Sequence, residues 1–198
     1  MNRLLGLETL ERIVVVIAEH DSIWASLAAS GNPKILTAPG GEERCHSVLN
    51  GLEALDGTAG DDSWVLVHDA ARPCVRIADI RHMFQELLDH EVGGILGAPV
   101  RDTIKRASED DSISETVDRS ALWQAFTPQM FKLGMLRHAL QDALAQKILV
   151  TDEAQAIERQ GHRPRLIEGH TDNLKITRPE DLSLAALYLS HQASTSDD

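Results

Sequence analysis

The chain has 198 residues, 42% of them hydrophobic and 25% charged, a length and composition suited to one globular domain, 1–198, around a single core. Its formal net charge of −12 excludes binding of nucleic acid through a broad basic surface, because neutralising phosphates needs clustered Lys and Arg. No apolar run is long enough to cross a bilayer and residues 1–12 lack a signal-peptide pattern, so a cytoplasmic protein with no membrane partner is expected.

Along the chain, short β-branched runs alternate with segments whose apolar residues recur at three and four. This is the pattern of an α/β fold with a mostly parallel, Rossmann-like sheet flanked by helices. Strands are predicted over RIVVVI at 12–17 and, after a turn at Gly31-Asn32-Pro33-Lys34, over KILTAP at 34–39. Gly40 and Gly41 then precede a helix beginning near Glu42 and marked by Val48, Leu49, Leu52 and Leu55. SWVLVH at 63–68 is the next strand, Ile80, Met83, Phe84, Leu87 and Leu88 mark the next helix, and GGILGAPV at 93–100 is a strand apolar on both faces.

Residues 101–119 break the alternation. Two polar segments containing Thr, Ile and Val flank the acidic SEDDS and read as a β-hairpin arm with little core of its own. Such an arm either docks on a second copy or hangs as a solvated loop. Leu136, Ala139, Leu140, Ala143 and Leu144 mark a further helix; Thr151 with Asp152 and Glu153 reads as a helix start and Gly161 as its stop. RPRLIEG at 163–169 and DNLKIT at 172–177 are predicted strands. The last helix opens at TRPE, with Thr177 and Glu180 at capping-box spacing and Pro179 in the first turn, and the polar tail 191–198 is expected to fray.

Ligands of open α/β sheets gather at the carboxyl ends of strands, where Asp69 stands. A carboxylate there needs a cation beside it, and Arg72 or a divalent metal would both serve, in a structural ion pair or in a site. Gly40-Gly41 before a helix is either a tight turn or a cradle of amides for an anion. Thr103, Arg119, Thr151 and Lys175 follow strands or lie near the arm, and a Lys ending a strand often only reaches for solvent. Cys45 and Cys74 share no metal or redox spacing and read as two reduced thiols.

Taken together, GGEERCHSVLNGL, WVLVHDAARP, GAPVRDTIKR, TVDRSALWQAFTPQ, TDEAQAIE and DNLKITRPEDL, in this order, resemble the 2-C-methyl-D-erythritol 4-phosphate cytidylyltransferase family over about residues 12–190. The resemblance implies transfer of CMP from CTP to methylerythritol phosphate with release of pyrophosphate, Mg²⁺ or another divalent cation, and a role in isoprenoid precursor biosynthesis. It implies that Asp69 lies beside the metal and the acceptor hydroxyls and that Arg72 fixes the acceptor. Thr151 and Lys175 match positions near the acceptor and phosphates, with Lys175 supplying catalytic charge. Gly41, Glu42 and Ser47 match the cytidine-recognising positions. Thr103 and Arg119 lie on the arm, about 101–126, which in the family crosses to a homodimer partner; there Arg119 grips the acceptor phosphate as a second catalytic cation.

Family members open with a strand and a glycine-rich, Arg-containing loop followed by a Pro-Lys pair, which wraps the triphosphate. No stretch of these 198 residues matches it. The expectation is an N-terminally incomplete member with weak CTP turnover of its own and an unpaired sheet edge. A ribitol 5-phosphate type of acceptor, or a non-catalytic dimerising remnant that binds a phosphate ligand, stands as the alternative.

Overall fold

The computed structural model describes residues 1–195. A four-stranded sheet in the order β3-β7-β4-β8 forms its centre, from β3 (Trp64–Val67), β4 (Gly93–Pro99), β7 (Trp123–Lys132) and β8 (Arg165–Glu168). β3, β4 and β8 run in one direction and β7 runs against them. β1 (Ile13–Ile17) and β2 (Ile35–Pro39) form a separate parallel pair, in register from Ile13 opposite Ile35 to Ile17 opposite Pro39. Among the described residues β1 pairs only with β2, and β3 only with β7, so each has one edge without a ladder.

Alternation along the strands builds two apolar layers. Val65, Ile95 and Phe131 face one side, where α2 (Arg44–Glu53), α4 (Leu133–Ala145) and α5 (Glu153–Arg159) bring Leu52, Leu136, Leu140 and Ile157. Leu66, Leu96 and Met130 face the other, against Met83, Leu87 and Phe84 of α3 (Ile77–Leu87). Each wholly buried Leu, Ile, Met or Phe contributes roughly 1.5–3 kcal/mol. The short helix α1 (Asn2–Leu5) and its exit add Leu4, Leu7 and Leu10 beside Val75 and Ile80. Gly93 opens β4 with φ +108°, and a Cβ there would lie 2.2 Å from the Met130 carbonyl oxygen, so only glycine fits this close strand crossing.

Most predicted elements are present within a residue or two, including the turn at Gly31 to Lys34, where the Asn32 side chain accepts from the Lys34 amide at 2.9 Å. Four differ. Ten residues, Trp123–Lys132, form the strand β7 that joins β3 to β4, although its start lies in the span assigned to the arm. Residues 172–177 are not a strand: Ile176 makes one backbone bond, to Ala71, and Asn173 gives its amide to the Thr127 carbonyl instead of a ladder. Helix α5 is capped by Asp152, whose side chain accepts from the Gln155 amide, and not by Thr151.

Helix α6 (Asp181–Ser194) has no Thr177–Glu180 capping box; the Asp181 carboxylate accepts from the amides of Thr177 and Arg178. It also continues to Ser194, through the first half of the expected polar tail, because Gln192 is buried and bonds to Arg3, to Asp172 and to the Cys74 carbonyl. Residues 196–198 of that tail lie outside the described residues. The arm is a hairpin as expected, β5 (Ile104–Ala107) against β6 (Ile113–Val117), with Asp111 at φ 61° in its turn. It buries nothing fully, and Ile113 is 65% exposed.

Candidate active site

Asp69 stands just beyond the end of β3, with its carboxylate among three cations. Arg44 Nε donates to Oδ1 at 3.0 Å, Lys175 Nζ lies 2.9 Å from Oδ2, and Arg72 Nε approaches Oδ2 at 3.9 Å. Burial alone would raise the Asp69 pKa; the bonds and charge of Lys175 and Arg44 outweigh it and hold the carboxyl below its ordinary range. Arg72 turns its other nitrogens to backbone, Nη1 to the Asn173 carbonyl at 2.7 Å and Nη2 to that of Ala125 at 3.5 Å, and its guanidinium lies 5.0 Å from the Phe126 ring centre. Its Nε is buried without a hydrogen-bond partner.

A second carboxylate supports the first. Glu153, 1% exposed, accepts from both Arg44 Nη1 at 2.6 Å and Nη2 at 3.0 Å. Burial would lower the Arg44 pKa, yet the bonds to Glu153 and the charge of Asp69 raise it, so the guanidinium stays charged. Beside it, buried Gln129 of β7 donates to Asp152 at 3.0 Å and accepts from the Ala154 amide at 2.8 Å. This fixes the start of α5 and with it Thr151.

These groups line a cavity of about 180 Å³ bounded by Arg44, Asp69, Arg72, Thr127, Thr151, Asp152, Lys175 and their neighbours. Four of the residues singled out in the sequence, Asp69, Arg72, Thr151 and Lys175, therefore meet in one place. Gly41, just before α2, is tied to the first turn of that helix: its amide donates to Ser47 Oγ at 2.9 Å, and a Cβ on Gly41 would lie 2.3 Å from His46 Cβ. Glu42 between them is exposed. Thr103 and Arg119 are exposed at the base of the arm and do not line the cavity. Sequence reasoning missed Arg44, Glu153, Thr127 and Gln129. The only signal was a charged or polar residue at a helix start or inside an otherwise buried strand, and that becomes informative once partners are seen.

Among the described residues no group of three or more His, Cys, Asp or Glu side chains could hold a metal, so no cage built from protein alone exists there. Asp69 and Asp152 are the carboxylates on the cavity wall, and Asp69 keeps lone pairs beyond those used by Arg44 and Lys175. That donor set suits Mg²⁺, which commonly takes one or two carboxylates and completes its shell with phosphate oxygens and water.

The family model of 2-C-methyl-D-erythritol 4-phosphate cytidylyltransferase matches residues 1–191. The chain belongs to that family. It is 54% identical over 174 residues to the 2-C-methyl-D-erythritol 4-phosphate cytidylyltransferase of Pseudomonas entomophila, covering 87% of this chain and 74% of that protein. It is 48% identical over 192 residues to the protein of that name from Vibrio vulnificus, covering 97% and 81%. The crystal structure of the Francisella tularensis 2-C-methyl-D-erythritol 4-phosphate cytidylyltransferase superposes with a TM-score of 0.84 at 34% identity, covering 94% of this chain and 84% of that one. The α/β architecture with flanking helices is the one seen in the solved cytidylyltransferase structures. No helix among the described residues is long and apolar enough to cross a membrane.

Proposed function

We propose that this chain transfers CMP from CTP to 2-C-methyl-D-erythritol 4-phosphate in the cytoplasm, releasing pyrophosphate and supplying isoprenoid precursor synthesis. The observation that supports this most is the convergence of Asp69, Arg72, Thr151 and Lys175 on one cavity. An oxygen of the acceptor's phosphate monoester attacks the α-phosphorus of CTP; the bond from that phosphorus to the bridging oxygen breaks, and pyrophosphate leaves with the electron pair. The attacking phosphate is already ionised near neutral pH, so no general base is needed. The barrier lies in bringing anions together, and positioned positive charge lowers it.

In this reading Lys175 turns from Asp69 to the phosphates, Asp69 and Thr151 receive the acceptor hydroxyls, and Arg72 secures the loop behind them. Mg²⁺ held by Asp69 neutralises phosphate charge when bound. Gly41, Glu42 and Ser47 receive the cytosine and ribose through backbone and small polar groups. Thr103 and Arg119 reach the acceptor phosphate of the partner subunit, which makes the active unit a homodimer joined through the arm.

The test is pyrophosphate release from CTP and Mg²⁺ with methylerythritol 4-phosphate or ribitol 5-phosphate. It uses this chain and a version extended at its N-terminus by the glycine-rich segment of a relative. Release selective for methylerythritol 4-phosphate supports the reading. Selectivity for ribitol 5-phosphate overturns the acceptor, and silence of both proteins overturns the activity in favour of a binding role.

A further inference from the structure

Arg44 is the first residue of α2, and its three guanidinium nitrogens serve two carboxylates from distant parts of the chain. Two parallel bonds to Glu153 fix the plane of the guanidinium, which then leaves Nε one direction, toward Asp69 Oδ1. Glu153 is itself buried in the first turn of α5. The triad thus connects the start of α2, whose Ser47 accepts from the Gly41 amide, the strand end that holds Asp69, and the helix start next to Thr151.

The partners of Asp69 are unequal. Lys175 is 42% exposed on a flexible stem and can swing to another anion, whereas Arg44 is clamped from behind. We propose that Arg44, locked by Glu153, is the positioning residue that keeps the Asp69 carboxylate aimed into the cavity when Lys175 leaves it for phosphate. This rests on the reading of Asp69 as an acceptor contact. Arg44 acts through Asp69 and not as a phosphate ligand itself.

A double-mutant cycle on the full chain separates these roles. Binding of methylerythritol 4-phosphate is measured by calorimetry in the wild type, Arg44→Lys, Asp69→Asn and the double variant. A lysine cannot hold both carboxylates, so Arg44→Lys weakens binding roughly tenfold when Asp69 is present and less than about twofold when it is Asn. Equal loss in both backgrounds makes Arg44 a ligand contact and overturns the proposal, as does no loss in either. Should Arg44→Lys fail to fold with Glu153 left unmatched, Arg44→Gln combined with Glu153→Gln carries the same comparison. A ligand-free readout stands beside it: the Arg44 Nε–H resonance lies apart from those of solvated arginines and joins them in Asp69→Asn. If it already lies among them in the wild type, the clamp is overturned. A wild-type chain that binds no acceptor but keeps the displaced resonance overturns the acceptor reading while supporting the clamp.

Discussion

His68 Nε2 lies 2.9 Å from the backbone carbonyl oxygen of Arg72. A carbonyl only accepts, so Nε2 carries the proton and Nδ1 is left to accept from the Thr127 hydroxyl at 3.0 Å. That hydroxyl in turn accepts from the Asp69 amide at 3.0 Å. The imidazole therefore binds together the loop that bears both Asp69 and Arg72.

Burial favours the neutral ring and lowers the His68 pKa from its ordinary value. With the folded pKa below the unfolded one, the stabilisation is complete above about pH 6.5 and is lost as pH falls through the depressed folded value. His68→Ala is expected to cost about 1–3 kcal/mol, since Thr127 and the Arg72 carbonyl lose their partner. Nitrogen chemical shifts of His68 should report the Nε2–H tautomer at neutral pH; a protonated ring there would falsify this account.

Glu153 tests the buried charge network by stability alone. Burial pushes the Glu153 carboxyl up while its two bonds to Arg44 and that residue's charge pull the other way, so the pair is held by its partners, and removing one member strands the other. Glu153→Ala is expected to destabilise the protein by about 3–5 kcal/mol in urea unfolding, while exchanging both residues for well-packed neutral ones costs much less. Similar losses for the single and double variants would mean that volume, and not charge, is what the site needs.

Lys175 and Asp69 are expected to matter to turnover more than to folding. Lys175 is partly exposed and, among the described residues, forms its ion pair with Asp69, so Lys175→Ala leaves the core untouched. In whichever chain releases pyrophosphate, Lys175→Ala and Asp69→Asn should lower kcat by roughly 100-fold or more, the scale seen when one group stabilising developing charge is removed. Circular dichroism should match the wild type. Wild-type kcat in either variant would remove that residue from the mechanism.

The sequence made the helices and most strands legible because their apolar periods are clean: Ile80, Met83 and Leu87 of α3, and the uninterrupted run of β4, lie buried where the pattern put them. It concealed β7. Its middle reads Phe-Thr-Pro-Gln, and a proline with a glutamine argues against a central strand. The structure resolves the conflict by satisfying buried Gln129 with Asp152 and the Ala154 amide. DNLKIT erred the other way, alternating like a strand but lacking a ladder partner. Within the site, Asp69 was conspicuous as a charge ending an apolar strand. Arg44 and Glu153 were not, because a charged residue in the first turn of a helix is commonplace until a partner more than one hundred residues away is seen.

The arm provides the strongest test of a shared site. Its two strands pair with each other and carry no buried residue, so one chain gives them nothing to rest on. Arg119, exposed at its base, is placed by the proposal in the partner's cavity, whereas Lys175 serves the cavity of its own chain. A site would then need Lys175 from one chain and Arg119 from the other. Arg119→Ala and Lys175→Ala chains should each be nearly inactive alone. Mixed and allowed to exchange, half of the dimers become heterodimers, each with one site carrying both lesions and one carrying neither, and activity recovers to about a quarter of wild type. Sedimentation should give a dimer for the wild type and a folded monomer when residues 103–118 are replaced by a short flexible linker. If the mixture stays inactive while the chains sediment as dimers, Arg119 acts within its own subunit, and if Arg119→Ala alone keeps wild-type activity, Arg119 takes no part. If the wild type sediments as a monomer, the arm is a solvated loop and the shared site is wrong.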